Sequence, residues 1–314
     1  MALLSGIWMV GCQQTGEALS DRKQRENDAE IQQYITANKL QATQLGTTGT
    51  FYVRTVSAPT NQSAGVGDEI RFFVTSRRFD GALIDSTDGI NPVTYIFGTA
   101  PIRTSPPELV NGSYLYRNIT NGMFLGLTVA REGEKITVLV PSSLDAGRQG
   151  TLLLPQYSPI RYDIWVVSIR TEDEQINDYI AANKITVTKK LENGIRIATT
   201  LAKPDSALIK VGETASVQYT GRLLTGTVFD TNVPTAAAIV TSPASATAAF
   251  DVKIGESVVV AGWVEGLKQV RRGERFLLIF PSSLGYGPTG SQNGRVIIPP
   301  YSPLFFDMNI LRVK

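Results

Sequence analysis

Apolar and polar residues alternate along much of the chain, and an alternation with a period of two predicts short β-strands. Residues 216–220 alternate in this way, and residues 275–280 form a short apolar run with aromatic and β-branched members that ends before a proline. The last predicted strand carries alternating apolar side chains, namely Phe306, Met308 and Ile310. A helix is predicted near residues 262–270. Many short strands with few helices indicate an α+β fold built on an antiparallel sheet.

An internal repeat divides the chain. Residues 28–39 recur as residues 173–184 with seven of twelve positions identical, and both copies space Ile, Tyr and Ile as one face of a short helix. The aspartates that open the two segments, Asp28 and Asp173, suit helix N-termini. Further matching pairs follow in the same order: residues 141–144 with 281–284, and residues 157–159 with 301–303. We therefore expect two copies of one module, at residues 28–172 and 173–314.

The first residues predict export and a lipid anchor. Residues 1–12 contain an apolar run that is too short to span a bilayer, which takes about 20 residues. The run ends at Gly11 and Cys12 and resembles a bacterial lipobox, in which the cysteine is lipidated and becomes the new N-terminus. An ordinary secretory signal is the alternative. Residues 13–27 are mostly polar and predict a flexible tether. The lipid anchor and this tether together would place the protein in the cell envelope, anchored to a membrane and facing the periplasm.

Composition excludes several kinds of chemistry. The chain has no histidine and a single cysteine, so it cannot form a Ser-His-Asp triad, a Cys-His nucleophile pair, a Cys/His zinc site or an intrachain disulfide. We expect no metal and no cofactor. Lysine and arginine number 30 against 28 acidic residues, so no nucleic-acid partner is expected.

Six short motifs follow one another in the second module. They occupy residues 217–221, 226–230, 262–267, 285–287, 297–300 and 305–307. In this order the motifs resemble the FKBP-type peptidyl-prolyl cis-trans isomerase domain, over roughly residues 205–313. The resemblance implies a bent antiparallel sheet around one short helix in each module.

The resemblance also implies a pocket. The side chains that it assigns to catalysis are Tyr219, Phe229, Asp230, Trp263, Tyr286 and Phe306. Those that it assigns to substrate binding are Phe250, Val259, Val260 and Ile298. Trp263 would form the floor and three of the other rings the walls. The backbone N–H of Val260 and the hydroxyl of Tyr286 would donate hydrogen bonds to the substrate, and Asp230 would lie at the edge.

The implied reaction needs no imidazole or metal. An X–Pro bond rotates over a barrier of about 18–20 kcal/mol that amide resonance sets. Twisting the bond weakens the resonance, so a dry aromatic cradle with fixed donors can favour the twisted form. The expected activity is therefore cis-trans isomerisation of X–Pro bonds in proline-containing, exported proteins.

The first module has lost most of this pocket. Its residues at the corresponding positions are Val74, Ile84, Asp85, Met123, Ala146 and Tyr162. We expect it to fold like the second module but not to isomerise efficiently, because the flat floor and the hydroxyl donor are replaced. Two alternatives to an isomerase stay open for the whole chain: a non-catalytic polypeptide-binding chaperone, and a scaffold of an envelope complex.

Overall fold

The computed structural model describes most of the chain beyond its first sixteen residues. The described ranges are residues 17–87, 89–99, 108–110, 113–115, 119–145, 150–233, 248–256, 259–291 and 297–314. The predicted lipidation site Cys12 and the pocket position Ala146 lie outside them. Within these ranges no helix is long and apolar enough to cross a bilayer.

Each module contains two of the described helices and one seven-stranded sheet. The helices are α1 (Leu19–Ala37), α2 (Asn121–Val129), α3 (Glu172–Ala182) and α4 (Ala261–Leu267). The first sheet comprises β1 (Thr43–Leu45), β2 (Thr50–Val56), β3 (Glu69–Arg77), β4 (Leu83–Ser86), β5 (Val93–Ile96), β8 (Lys135–Val140) and β9 (Ile160–Arg170). A separate hairpin joins β6 (Glu108–Val110) and β7 (Ser113–Leu115). The second sheet comprises β10 (Lys189–Lys190), β11 (Arg196–Leu201), β12 (Thr214–Leu223), β13 (Val228–Thr231), β14 (Phe250–Lys253), β15 (Arg275–Phe280) and β16 (Leu304–Val313).

The two sheets share one topology. The first has the order β1-β2-β8-β9-β3-β4 with β5 beside β3, and the second has β10-β11-β15-β16-β12-β13 with β14 beside β12. Every pairing is antiparallel, which confirms the predicted α+β class and the two like modules. The registers also correspond: Phe306 pairs with Gly221 and Leu278, as Tyr162 pairs with Ser76 and Val138.

A core lies in each module between the sheet and its short helix. In the second module α4 places Trp263 and Leu267 against β15 and β16, and in β16 the alternating side chains of Phe306, Met308 and Ile310 are buried as predicted. The predicted helix near residues 262–270 corresponds to α4, and the predicted strand at residues 275–280 corresponds to β15. The site residues are therefore carried by a helix and strands that the same core holds in place.

The start of the first helix differs from the prediction. Helix α1 begins at Leu19, so Asp28 lies inside it and residues 19–27 are helical rather than a flexible tether. Asn27 is 2% exposed, accepts a hydrogen bond from the Ser142 N–H at 2.8 Å and donates one to the Tyr157 carbonyl at 2.9 Å. These contacts with distant loops fix the extra helical turns, whereas a polar composition alone indicates disorder. In the second module the predicted position is close: α3 begins at Glu172, with Asp173 in its first turn.

The modules are joined without a flexible loop. Strand β9 ends at Arg170, and Thr171 then caps α3 through a capping box. The Arg170 guanidinium contacts Glu69 of the first sheet at 2.5 Å and Asp178 of α3 at 2.8 Å. The junction is therefore held by charged contacts on both sides.

Candidate active site

Three aromatic rings of the second module pack edge-to-face against Trp263. This indole is 4% exposed. Its centroid lies 4.8 Å from that of Tyr219, 5.2 Å from that of Phe306 and 6.2 Å from that of Phe250. Such contacts are worth about 0.5–1.5 kcal/mol each beyond the buried area. The rings therefore form a rigid apolar floor with walls around it.

The central strand β12 brings further pocket residues together. Gly221 pairs with Phe306 on one side and with Asp230 on the other. A Cβ at this position would lie 2.7 Å from the ring of Phe306 and 2.8 Å from that of Phe229. Glycine thus leaves the space in which these two rings meet, with centroids 5.6 Å apart. This close approach is the physical reason for glycine in the 217–221 motif.

Tyr219 and Asp230 form the polar edge of the pocket. The Tyr219 hydroxyl donates to Oδ2 of Asp230 at 2.7 Å. Burial, followed by the hydrogen bond and the charge of Asp230, raises the pKa of Tyr219 well above its ordinary range. Burial, with a smaller contribution from the Asp230 charge, also raises the pKa of Tyr286. Both hydroxyls therefore remain protonated donors at neutral pH.

Three donors point to the hydrogen-bonding capacity of the site. Among the residues that the structure describes, the buried indole N–H of Trp263 has no hydrogen-bond partner. Val260 precedes α4 as its N-cap, and no described residue accepts a hydrogen bond from its backbone N–H. The Tyr286 hydroxyl likewise has no hydrogen-bond partner among the residues described, and its side chain is 38% exposed. A substrate carbonyl could satisfy the last two donors without breaking a bond that the protein already makes.

All ten pocket residues predicted from the sequence belong to this region. Val259, Val260 and Ile298 pack on the same core cluster as Trp263. Phe250 is 44% exposed at the rim, where its ring meets that of Tyr219. Tyr286 is 38% exposed, and the charge of Asp230 contributes to the raised pKa of its hydroxyl. Their individual roles in catalysis stay predictions.

Two supporting residues escaped the sequence analysis. The ring of Phe280 stacks on Phe306 at 5.7 Å, a contact that the pairing of β15 with β16 could have indicated. Asn232 is 3% exposed, accepts a hydrogen bond from the Tyr219 N–H at 2.7 Å and donates to the carbonyls of Val217 and Ala248. No sequence signal marks Asn232, because its partners lie on other elements.

The corresponding region of the first module is closed by its own side chains. Met123 is 5% exposed and Tyr162 is 2% exposed. Thr120 Oγ1 donates to the Tyr162 hydroxyl at 3.2 Å, and Asp145 Oδ1 accepts a hydrogen bond from the Gly122 N–H at 3.4 Å. Burial raises the pKa of the Asp145 carboxyl. A polar cluster thus stands at the start of α2, where Thr120 occupies the N-cap position that Val260 occupies in the second module.

The second module matches the family model described as FKBP-type peptidyl-prolyl cis-trans isomerase, over residues 206–311. The chain is 33% identical to "FK506-binding protein 2" of Dictyostelium discoideum over 127 residues, which cover 40% of this chain and 81% of that protein. It is 36% identical to "Macrophage infectivity potentiator" of Trypanosoma cruzi over 104 residues, which cover 33% of this chain.

A longer match includes both modules. The chain is 25% identical to human "Peptidyl-prolyl cis-trans isomerase FKBP9" over 248 residues, which cover 79% of this chain. The chain spans only 45% of the Trypanosoma cruzi protein and 35% of the human protein.

Proposed function

Because the chain belongs to the FKBP-type peptidyl-prolyl cis-trans isomerase family, we propose that its second module catalyses cis-trans isomerisation of X–Pro bonds in polypeptides. The observation that carries this proposal is the combination of edge-to-face rings around Trp263 with the unpartnered donors of Val260 and Tyr286. A proline ring is apolar and flat enough to lie on the indole. The carbonyl that precedes it needs one donor in place of water.

The protein favours the twisted amide over the planar one. As the X–Pro bond rotates, its nitrogen loses conjugation and its carbonyl loses contact with solvent. The walls of Tyr219, Phe229 and Phe306 exclude water from the rotating bond. The N–H of Val260 donates a hydrogen bond to one carbonyl of the substrate, while the Tyr286 hydroxyl can donate to another carbonyl as the bond rotates. Donors that are already oriented require no reorganisation during the rotation, which is the advantage of a preorganised site.

The first module is proposed to contribute little to the rate. Met123 is flexible and cannot present the rigid flat surface of an indole. The N-terminal amide of α2 at Gly122 already bonds to Asp145. Turnover would therefore depend on the second module alone.

The full chain offers a matched test of this assignment. Phe229→Ala should lower the exchange rate of a peptide with an apolar residue before proline, whereas Ile84→Ala at the corresponding position of the first module should not. Truncating a phenylalanine to alanine lowers the free energy of unfolding by about 3–5 kcal/mol in a packed interior and by less at a partly open site. Equal rates in both variants would contradict the proposed pocket. Tight peptide binding without turnover in the unmodified chain would favour the chaperone alternative.

We further propose that the substrates are exported proteins and that Cys12 carries the lipid anchor facing the periplasm. The support is the motif at residues 1–12 that resembles a lipobox. One acyl chain binds a bilayer only marginally, so stable anchoring requires the several chains typical of bacterial lipoproteins. Cys12→Ser should move the protein from the membrane fraction to the soluble fraction. Membrane association that persists in this variant would contradict the anchor.

A further inference from the structure

The outer surface of the first sheet carries two neighbouring aromatic rings. Phe73 of β3 and Trp165 of β9 are direct cross-strand partners, with ring centroids 5.4 Å apart. The Lys135 ammonium lies 4.7 Å from the centroid of the indole. Trp165 is 41% exposed, although Ile164 beside it is 1% exposed on the core side. Phe73, Trp165 and Lys135 are called the aromatic face below.

The second module provides an internal comparison. The register places Gln218 opposite Asn309 where the first module has Phe73 opposite Trp165. Arg275 pairs with Asn309 as Lys135 pairs with Trp165. The same fold therefore forms with amides at these two positions. The aromatic pair is not a requirement of the sheet, and a pair with one exposed and one half-buried ring in only one module points to contact with a partner.

The charge around the aromatic face is positive. Asp163 on this surface is neutralised by Arg161 at 2.9 Å and also accepts a hydrogen bond from Thr137 at 2.6 Å. Lys135, whose ammonium lies over the indole, forms no ion pair with any residue in the described ranges. A cation next to these rings complements a ligand that is both acidic and apolar.

The shape of the surface favours a chain over a bilayer. A groove of about 330 Å³ is lined by residues of β2, β8, β9 and β3, among them Phe73, Trp165 and Lys135. The two rings are inclined by only 34° to each other and cover the sheet side by side. Binding at a bilayer surface requires apolar side chains that insert into the headgroup region, whereas a groove receives side chains from its partner.

We propose that the aromatic face docks an acidic, apolar segment of an extended polypeptide. Its apolar side chains would occupy the groove against Trp165, and a carboxylate would contact Lys135. This function goes beyond X–Pro isomerisation, because the groove is built on the first sheet and requires no proline in the bound segment.

Binding to the full chain can be measured with a fluorescent peptide that alternates Glu with Leu and Phe and contains no proline. The combined change Phe73→Gln and Trp165→Asn, which copies the second module, should weaken binding by about ten-fold or more. Gln218→Ala with Asn309→Ala is the matched control and should leave binding unchanged. All variants should keep the isomerisation rate of a short X–Pro peptide, which also reports correct folding.

Charge reversal gives a second test that does not depend on the rings. Lys135→Glu should weaken the acidic peptide and strengthen a peptide with Lys in place of Glu. Equal binding of the two peptides by the unmodified chain, or equal affinity of the aromatic variant and its control, would overturn the proposal. The proposal would also be overturned if the chain bound vesicles of phosphatidylglycerol through Phe73 and Trp165 but did not bind the acidic peptide. Loss of acidic-peptide binding in Phe229→Ala would place that binding in the isomerase pocket and would also overturn it.

Discussion

The hydroxyl of Tyr219 donates a 2.7 Å hydrogen bond to the carboxylate of Asp230, while the ring of the same tyrosine packs edge-to-face on Trp263. One side chain thus links the polar edge of the pocket to its apolar floor. Its backbone N–H is held by Asn232, so strand β12 and the loop after β13 position it together. Contacts with Asp230 of β13, Asn232 of the following loop and Trp263 of α4 therefore fix the position of this side chain.

Removing the hydroxyl should loosen the edge and leave the floor intact. Tyr219→Phe keeps the ring contacts but deprives Asp230 of its donor, at a cost of about 1 kcal/mol in positioning. We expect kcat/KM for an X–Pro peptide to fall roughly five-fold. Tyr162→Phe removes a buried tyrosine hydroxyl of the first module and should leave the rate unchanged. An unaltered rate in Tyr219→Phe would show that the hydrogen bond has no part in turnover.

The activity should not depend on pH in the neutral range. The chain has no histidine, and burial together with Asp230 raises the pKa of Tyr219 and of Tyr286 above the ordinary tyrosine value. Both hydroxyls therefore stay protonated, and kcat/KM should be constant from about pH 6 to 9. A steep decline or a bell-shaped profile within this range would reveal an ionising group that the pocket assignment omits.

Asp145 should make stability depend on pH. Burial raises the pKa of its carboxyl in the folded state, so the neutral form is favoured there. The stabilisation that the protonated carboxyl gives to the folded state is fully present below the unfolded pKa of about 3.9. It is lost as the pH rises through the higher pKa of the folded state. Asp145→Asn removes the titration and keeps an acceptor for the Gly122 N–H. The midpoint of urea unfolding at neutral pH should therefore rise or stay constant.

The control for this comparison is Asp205→Asn, which changes an exposed carboxylate. Unfolding midpoints measured between acid and neutral pH should change their slope in the Asp145 variant only. A lower midpoint at neutral pH in Asp145→Asn would mean that the carboxylate charge at the start of α2 stabilises the helix more than its burial costs.

Two matched glycines can report the contact between the modules. Gly67 and Gly212 occupy corresponding turns with φ of +93° and +88°. A Cβ at Gly67 would lie 2.9 Å from the ring of Tyr301 in the other module, whereas nothing lies within 4 Å of one at Gly212. Both alanine variants should lose about 1–2 kcal/mol to backbone strain.

Gly67→Ala should lose a further amount of about 1 kcal/mol or more, because the ring must move. Adding Tyr301→Ala to Gly67→Ala should remove this further loss. Urea unfolding of Gly67→Ala, Gly212→Ala and the double variant would measure it. Equal losses at the two glycines would indicate that the modules do not touch at Tyr301.

Local patterns alone predicted much of this protein. A short apolar run located β15, the period of two located β16, and the repeated segment at residues 173–184 located α3 and the duplication. These features depend on side-chain periodicity within one element, which the order of residues expresses directly. The pocket residues followed from a resemblance of ordered motifs, and the pairing of β12 with β13 and β16 brings Gly221, Asp230 and Phe306 together.

Contacts between distant segments decided the rest. Asn27 extends α1 backward because it bonds to Ser142, and Glu172 at the corresponding place in the second module bonds to Ser282 at 2.6 Å. Phe73 meets Trp165 only through the register of β3 with β9. A polar residue such as Asn27 is held in a helix, and two aromatic residues such as Phe73 and Trp165 form one surface, only when the partner many residues away lies within contact distance. That distance is set by the strand register and by the packing of helix and loops within a module, and it is absent from the pattern of either segment.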